Sequence, residues 1–181
     1  EVREFLDSDG VTYHYFEQQS ELCDAVAVML DEQQVIGWMQ GRMEFGPRSL
    51  GNRSILGDAR SGEMQANINL KIKFRESFRP FAPAVLKEHA DEYFDMRGVS
   101  SPYMLLVAPV AEKQRLDLTP EELAVQGVNR RLITRSSVPA ITHVDNSARV
   151  QTIDENANPL FHNLVQRYYQ LSQSPLVVNT S

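Results

Sequence analysis

The sequence lacks most features that would place the protein outside a reducing compartment. Its 181 residues include one cysteine, Cys23, so an internal disulfide is excluded, and no Cys/His set has the spacing of a zinc site. No segment approaches the roughly 20 apolar residues that span a bilayer. The first residues also lack the basic and apolar regions of a secretory signal. We therefore expect a cytoplasmic protein that does not associate with a membrane.

Basic residues are outnumbered by acidic ones overall and are concentrated in one segment. The chain has 18 Lys and Arg against 24 Asp and Glu, a net charge of -6. Proteins that bind nucleic acid backbones normally present a basic face, so nucleic acid is not an expected partner. Residues 41–80 nevertheless hold eight basic and four acidic residues. This local excess of positive charge indicates a site for an anion.

The length is typical of one domain, and the sequence shows no repeat, low-complexity tract or linker. We expect residues 1–181 to form a single domain. The apolar run at 175–178 has the composition of a strand inside a fold, so we expect this domain to be a fragment of a larger chain. In residues 111–137 charge dominates and apolar periodicity weakens. We predict a surface insertion there, with a short capped helix that begins at Thr119-Pro120.

Strand-like and helix-like segments alternate along most of the chain. This pattern predicts an α/β fold with an open, twisted, mixed sheet and flanking helices. A β-hairpin is predicted where segments 140–144 and 148–153 flank the turn-forming Asp145-Asn-Ser. The other strands are predicted at 11–16, 35–40, 84–86, 103–107 and 176–179, and the helices at 21–33, 64–72, 89–94 and 159–169.

Segment 41–58 is rich in glycine and arginine. It reads Gly-Arg-Met-Glu-Phe-Gly-Pro-Arg-Ser-Leu-Gly-Asn-Arg-Ser-Ile-Leu-Gly-Asp and predicts a long loop that binds an oxyanion. Glycines let the backbone approach a ligand, and guanidinium groups match phosphate or carboxylate oxygens bidentately. The segment has neither the Walker nor the dinucleotide-binding pattern. The alternative is a solvated loop whose arginines pair with Glu44 and Asp58.

Basic and aromatic residues interleave in segment 71–83, Lys-Ile-Lys-Phe-Arg-Glu-Ser-Phe-Arg-Pro-Phe-Ala-Pro. Such interleaving can serve single-stranded nucleic acid by stacking and charge. Because the whole chain is acidic, we favour a small anionic ligand instead. The three phenylalanines are predicted to form core or pocket wall; they are Phe74, Phe78 and Phe81.

Two further segments carry candidate site residues. In Thr142-His-Val-Asp-Asn-Ser-Ala-Arg-Val-Gln-Thr, the predicted hairpin turn presents His143, Asp145 and Arg149. His143 is either a catalytic base or, as a His beside an Asp more often is, part of a hydrogen-bonded structural pair. Asn179-Thr-Ser lies at the carboxyl end of the last predicted strand, where open α/β sheets bind ligands.

Together the segments at 41–56, 73–83, 142–152 and 178–181 resemble the C-terminal domain of O-carbamoyltransferases of the NodU and antibiotic-tailoring type. The resemblance implies a YrdC-like fold that binds ATP, with Mg²⁺, and carbamoyl phosphate, and forms carbamoyl adenylate. It also implies an N-terminal actin-like domain as partner, which transfers the carbamoyl group to a hydroxyl of a sugar or other small metabolite. Residues 111–137 are a departure, because we expect a shorter connection in relatives.

The resemblance also assigns site residues by their match to the family's motifs. Catalytic roles are expected for Lys73 and Arg79, which would neutralise phosphate charge, and for Arg48, which with Arg149 would contact carbamoyl phosphate or the triphosphate bidentately. Substrate or nucleotide binding falls to Arg48, Lys73, Arg79, Arg149, Asn179 and Ser181, with Asn52, Arg53 and His143 as further candidates; no residue is assigned to a metal. Two alternatives stay open: a threonylcarbamoyl-adenylate synthase, which should have a lysine-rich signature and a basic face, and a non-catalytic RNA- or nucleotide-binding module.

Overall fold

The computed structural model describes residues 2–77 and 79–181. Its strands are β1 (Ile36–Met39), β2 (Arg53–Asp58), β3 (Ala82–Leu86), β4 (Leu106–Pro109), β5 (Ser147–Ile153) and β6 (Leu176–Thr180). They form one sheet of six strands in the order β1-β2-β6-β3-β5-β4. Within the described residues, β3 and β5 pair in parallel and the other neighbouring strands pair antiparallel. The predicted α/β fold with an open mixed sheet is therefore confirmed.

Six α-helices lie in the described part of the chain. They are α1 (Val2–Ser8), α2 (Gln19–Asp31), α3 (Met64–Asn67), α4 (Ala90–Tyr93), α5 (Pro120–Ala124) and α6 (Pro159–Ser172). A wider π-helical turn, Ile68–Ile72, continues α3. Short 3-10 helices cover Lys87–His89, Glu112–Gln114, Gly127–Leu132 and Pro139–Ile141. No helix in the described part of the chain is long and apolar enough to cross a membrane.

The sheet separates two apolar layers. Helices α2 and α6 pack on one face, where Leu30 and Tyr168 belong to a cluster that includes Val177 of β6. The other face is covered by α3, its π-helical turn and short helices, and there the neighbours of Val177 contribute instead, Leu176 and Val178. This alternation along β6 follows from the period of two in a strand. A central strand buried on both faces explains the continuous apolar run at the end of the sequence.

Most of the predicted helices and two strands are confirmed within a few residues. Asn158 caps α6 as its composition indicates, because its side chain accepts a hydrogen bond from the Phe161 N–H at 3.4 Å. Thr119 and Glu122 form a capping box at the start of α5. The segment around α5 is largely exposed. That residues 111–137 are an insertion stays a prediction.

Three strand predictions were wrong or displaced. Residues 11–16 have no regular structure; they are largely exposed, and no strand in the described part of the chain pairs with them. The predicted buried strand at 35–40 is the edge strand β1, in which Trp38 alone is buried. The strand predicted at 103–107 begins only at Leu106. Strand β2 was missed, because the polar residues and glycine of 53–58 resemble the loop before it.

The predicted hairpin at 140–153 was also wrong. Its second half is β5, but residues Pro139–Ile141 form a 3-10 helix whose Ala140 and Ile141 are buried in the core. The two edges of β5 are already occupied, by β3 on one side and β4 on the other. A third strand therefore has no place to pair, and the mixed character of the sheet comes from long-range antiparallel pairs.

Candidate anion-binding site

A cleft of about 190 Å³ lies beside the carboxyl end of β6. Four cationic side chains line it: Arg48, Lys73, Arg75 and Arg149. The lining residues in the described part of the chain include no aspartate or glutamate. We call this the cationic cleft. Residues far apart in sequence thus bring positive charge together without a compensating carboxylate, in a chain whose net charge is -6.

Glu44 organises the loop between β1 and β2, which carries Arg48. One of its carboxylate oxygens accepts hydrogen bonds from the backbone N–H groups of Leu50 (2.7 Å), Asn52 (2.7 Å) and Arg53 (3.1 Å). Burial acts to raise the pKa of Glu44, but these backbone donors outweigh it, and the pKa is lowered. Glu44 therefore holds the loop backbone. This role was missed, because the sequence suggested Glu44 only as an ion-pair partner for arginine.

Arg53 and Asn52 serve the same loop. The Arg53 guanidinium donates to the carbonyl oxygens of Gln40 (2.8 Å), Gly41 (3.0 Å) and Asn52 (2.7 Å). The Asn52 amide donates to the Arg42 carbonyl at 2.8 Å and accepts from Asn158 at 3.2 Å. Neither side chain lines the cationic cleft. Both side chains thus support the loop, and Arg53 also lines a neighbouring pocket with Arg48 and Ser181; the contact of either candidate with a ligand stays a prediction.

Gly51 fixes where the loop meets α6. Its φ is +104°, which L side chains rarely adopt, and a Cβ there would lie 2.3 Å from the Phe161 ring. Both the backbone conformation and the close approach therefore require glycine at this position.

Lys73 enters the cationic cleft directly after the π-helical turn. Its Nζ donates to Thr180 Oγ1 at 3.5 Å, which links it to the end of β6. Burial, helped by the charge of Arg75, lowers the pKa of Lys73. A negative ligand would reverse this by favouring the charged ammonium. The predicted Lys73 therefore lies where it can meet an anion.

Arg75 is a lining residue that the sequence analysis did not assign. Its Nε donates to Asn69 Oδ1 at 2.6 Å, and its guanidinium lies 5.1 Å from the centre of the Phe81 ring. The buried Asn69 amide also donates to the carbonyls of Ser77 (3.1 Å) and Arg79 (2.9 Å). Asn69 thus fixes the direction of Arg75 and the path of the chain after it. An asparagine within an apolar helical stretch is the sequence signal that could have indicated this role.

Arg79 is not brought into the cationic cleft with the other cations. Its Nε lies 3.3 Å from Glu76 Oε2, and both side chains are more than half exposed. Burial is the main cause of the lowered pKa of Arg75, and the positive charge of Arg79 lowers this pKa further. Arg79 therefore lies near enough to act electrostatically on the site, and its predicted role with phosphate stays a prediction.

Arg48 and Arg149 hold unpaired donors. The Nε atom of each is buried without a hydrogen-bond partner in the part of the chain that the structure describes. Burial and the charge of Arg48 lower the pKa of Arg149. Its Nη2 lies 3.9 Å from the sulfur of Met104, a weak acceptor. Buried donors without partners are costly, so this pair of arginines indicates a place for an oxyanion.

Asn179 and Ser181 close the cationic cleft from β6. The buried Asn179 amide accepts from the Ser49 hydroxyl (3.1 Å) and donates to the Ser49 carbonyl (3.1 Å) and Gln151 Oε1 (2.7 Å). These contacts tie the loop to the sheet. Ser181 is exposed and lines the cleft, so it remains accessible to a ligand.

His143 is linked to Asp145 through a third residue. Its Nδ1 lies 3.1 Å from Ser147 Oγ, and the Ser147 hydroxyl donates to Asp145 Oδ1 at 2.7 Å. Burial lowers the pKa of His143, against the effect of Asp145 and with that of Arg149. His143 does not line the cationic cleft. The geometry fits the structural alternative better than that of a base directed at a ligand.

The aromatic residues of 71–83 have different positions. Phe81 is buried and lines the cationic cleft, which confirms its prediction. Phe74 is 86% exposed with φ +48°, so its assignment to core or pocket wall was wrong. Phe78 lies outside the described residues.

Metal ligands are not gathered in the described residues: no three or more His, Cys, Asp and Glu lie close enough to hold an ion. The described lining of the cationic cleft includes no aspartate or glutamate, whose carboxylates are the protein ligands that Mg²⁺ prefers. The described residues of the cleft therefore do not fit a protein-held Mg²⁺.

Comparison with known proteins shows which family the chain matches. The family model described as "Carbamoyltransferase C-terminus" matches residues 27–181. An uncharacterized protein of Synechocystis is 49% identical over 100% of this chain and 29% of its own length. The nodulation protein NolNO of Sinorhizobium fredii is 39% identical over 89% of this chain and 22% of its own. The 3'-hydroxymethylcephem-O-carbamoyltransferase of Streptomyces clavuligerus is 34% identical over 87% and 26%, respectively. The chain thus spans less than a third of these relatives.

Proposed function

The chain belongs to the carbamoyltransferase C-terminal family, and on this premise we propose that its cationic cleft binds ATP and carbamoyl phosphate and forms carbamoyl adenylate. The observation that carries the proposal is the convergence of four cations, with no carboxylate among the described lining residues. A triphosphate and an acyl phosphate repel each other strongly. Bringing them together requires several positive groups held in place before the ligands arrive.

The proposed reaction needs no protein nucleophile. Water cleaves carbamoyl phosphate to phosphate and carbamate, and a carbamate oxygen then attacks the α-phosphorus of ATP. The new O–P bond forms as the bond to pyrophosphate breaks, so the products are carbamoyl adenylate and pyrophosphate. Negative charge moves onto the leaving pyrophosphate during this step. Positive side chains that contact its oxygens therefore lower the barrier.

The positions of the cations suggest how they divide this work. Arg48 and Arg149 each have an unpaired Nε and a planar fork of donors, which suits bidentate contact with phosphate oxygens. Lys73 supplies a compact charge whose lowered pKa would rise as phosphate approaches. Arg79, at the margin near Arg75, would neutralise charge that reaches beyond the cleft. Ser181 would orient a polar part of the nucleotide.

The transfer step is proposed to take place elsewhere in a longer protein. Relatives extend far beyond the region matched by this chain. We assign the transfer to an N-terminal actin-like domain and the acceptor to a small molecule with a hydroxyl group. The name of the Streptomyces clavuligerus relative, an O-carbamoyltransferase that acts on a hydroxymethyl compound, supports this acceptor class. A cytoplasmic location would supply ATP, and Mg²⁺ would enter on its phosphates.

Pyrophosphate release tests the proposal. The full-length protein that carries this domain is incubated with ATP, Mg²⁺ and carbamoyl phosphate, and pyrophosphate and AMP derivatives are measured. We expect pyrophosphate only when carbamoyl phosphate is present. Release that instead requires threonine and bicarbonate would indicate a threonylcarbamoyl-adenylate synthase. Tight RNA binding without any pyrophosphate would indicate a non-catalytic module and overturn the proposal.

A further inference from the structure

A second cavity of about 160 Å³ lies apart from the cationic cleft. Its walls come from the region of α3 (Gln65, Ala66) and from residues 132–142, including Ile133, Thr134 and Arg135. Among the described residues, the two sets of lining residues share no member. Residues 75–80 contribute to both, because Ser77 lines the cavity whereas Arg75 and Pro80 line the cleft.

Arg135 is a charged residue that lines this cavity, and only 5% of its surface is exposed. Its Nε and Nη2 atoms are both buried and have no hydrogen-bond partner among the residues described. The backbone around it is well bonded: its carbonyl accepts from the Leu116 N–H at 2.8 Å, and its neighbour Ser136 contacts Thr142 at 2.7 Å. The unpaired donors of Arg135 therefore lie on its guanidinium group.

The two unpaired atoms define the shape of the missing acceptor. Nε and Nη2 lie on one edge of the guanidinium, and that edge donates two parallel hydrogen bonds to a planar pair of oxygens. The described lining residues include no aspartate or glutamate that could supply them. Burial, together with the charge of Arg130, lowers the pKa of Arg135, as expected for a cation that lacks an anion. The geometry thus fits a carboxylate, or two oxygens of a phosphate.

The charge and the walls favour the carboxylate. The cationic cleft combines four positive side chains, whereas Arg135 is the only charged residue among the described lining of the second cavity. Even with Arg130 nearby, the positive charge at this cavity is smaller than in the cleft, and it suits a monoanionic carboxylate better than a phosphate dianion. Ala66, Ile133 and Pro139 add apolar wall that suits a short hydrocarbon part. We propose that Arg135 binds the carboxylate of a small organic acid in this cavity.

Exposed residues around the cavity allow such a ligand to enter. Leu132 lines it and is largely exposed, so a shift of this side chain would widen the mouth. The unpaired nitrogens are shielded from solvent before binding, so entry requires a small rearrangement of this kind. The bound carboxylate would then accept the hydrogen bonds of the Arg135 guanidinium that have no acceptor among the described residues.

Titration of the protein with sodium butyrate, followed by NMR of the arginine Nε–H signals, tests the proposal. We expect a saturable shift of the Arg135 signal with a dissociation constant on the order of 1 mM, as for a small ligand with few contacts. Inorganic phosphate at equal concentration should move the signals of Arg48 and Arg149 more than that of Arg135. An Arg135 signal that does not respond to butyrate, or that phosphate shifts more strongly, would overturn the proposal.

Variants separate this cavity from the cationic cleft. Arg135→Lys keeps the charge but loses the fork, and we expect butyrate to bind at least about tenfold more weakly. Arg149→Gln should leave the butyrate response of Arg135 unchanged, and loss of the response would mean that butyrate acts through the cleft. If Arg135→Lys does not fold, the wild-type titration still decides. The proposal is independent of carbamoyl adenylate formation, so either can fail alone.

Discussion

Arg48 and Arg149 line the same cleft as like charges, and each holds a buried Nε without a hydrogen-bond partner among the described residues. Burial is the main cause of the lowered pKa of Arg149, and the positive charge of Arg48 lowers this pKa further. The ligand-free protein therefore keeps two cations in surroundings that disfavour them. An oxyanion between them would satisfy both donors and reduce the repulsion. The arrangement that suits these two arginines to bind an anion therefore lowers the stability of the ligand-free protein.

Replacing Arg149 with glutamine should separate these two effects. We expect the ligand-free free energy of unfolding to stay equal or rise by about 1 kcal/mol, because a repelled and partly unpaired cation is removed. Stabilisation of the protein by pyrophosphate, measured as a shift in Tm, should be lost. Arg97→Gln is the control, because Arg97 is 83% exposed and lies outside the cleft. A loss of more than about 1 kcal/mol in Arg149→Gln would show that Arg149 is structural.

Lys73 and Lys71 offer a matched pair of lysines two positions apart. Lys73 lines the cationic cleft, whereas Lys71 is exposed and does not. Lys73→Ala should abolish pyrophosphate release and change the free energy of unfolding by no more than about 0.5 kcal/mol. Lys71→Ala should leave both unchanged. The measurements are pyrophosphate release by the full-length protein and chemical denaturation. Equal pyrophosphate release by the two variants would show that Lys73 takes no part in the proposed reaction.

Several parts of the fold and site could be predicted because their signals are local. Asn158-Pro159 and the apolar stripe after it specify the start and the buried face of α6. The glycines and arginines of the loop after β1 indicate a tightly turning, positively charged loop, and Arg48 of this loop does line the cationic cleft. Such features depend on residues within a few positions of one another, and a sequence shows these directly.

Other parts depend on partners that are distant in sequence. The pattern of residues 148–153 predicts a strand but cannot show that β3 and β4, rather than the preceding segment, pair with it. Likewise, composition does not distinguish Arg75 from Arg79. Asn69 binds the Arg75 guanidinium and holds it at the cleft, while Glu76 lies beside Arg79 at the surface. Only the folded positions of Asn69, Arg75 and Arg79 decide which arginine faces the cationic cleft.

Glu44 should make the stability of the loop depend on pH. Its pKa is lowered from 4.5, so its contribution is fully present above that value and is lost as pH falls through the lowered pKa. Glu44→Gln should reduce the free energy of unfolding at neutral pH by about 1–3 kcal/mol, because hydrogen bonds to a charged acceptor are weakened. The difference from wild type should shrink at acidic pH. Chemical denaturation at several pH values measures it, with Glu17→Gln as an exposed control. A difference that does not vary with pH would contradict this account.

Gly51 and Gly37 test whether the position of the loop on α6 controls both stability and anion binding. Alanine at residue 51 would have to adopt φ +104° and place its Cβ 2.3 Å from the Phe161 ring, whereas residue 37 has free space and no positive φ. We expect Gly51→Ala to lower the free energy of unfolding by about 3 kcal/mol or more, through backbone strain and overpacking together. Gly37→Ala should change it by less than about 0.5 kcal/mol.

The same substitution should also weaken anion binding, because Ser49 and Arg48 precede Gly51 in the loop and Ser49 is bound to Asn179 of β6. If the loop moves away from Phe161 to relieve the clash, the Arg48 guanidinium moves with it and leaves the other cations of the cleft. We therefore expect a smaller Tm shift with pyrophosphate in Gly51→Ala than in wild type, measured where the variant remains folded. An unchanged shift would mean that the loop tolerates displacement at Gly51 without moving Arg48, and that Ser49 and Asn179 alone fix its position.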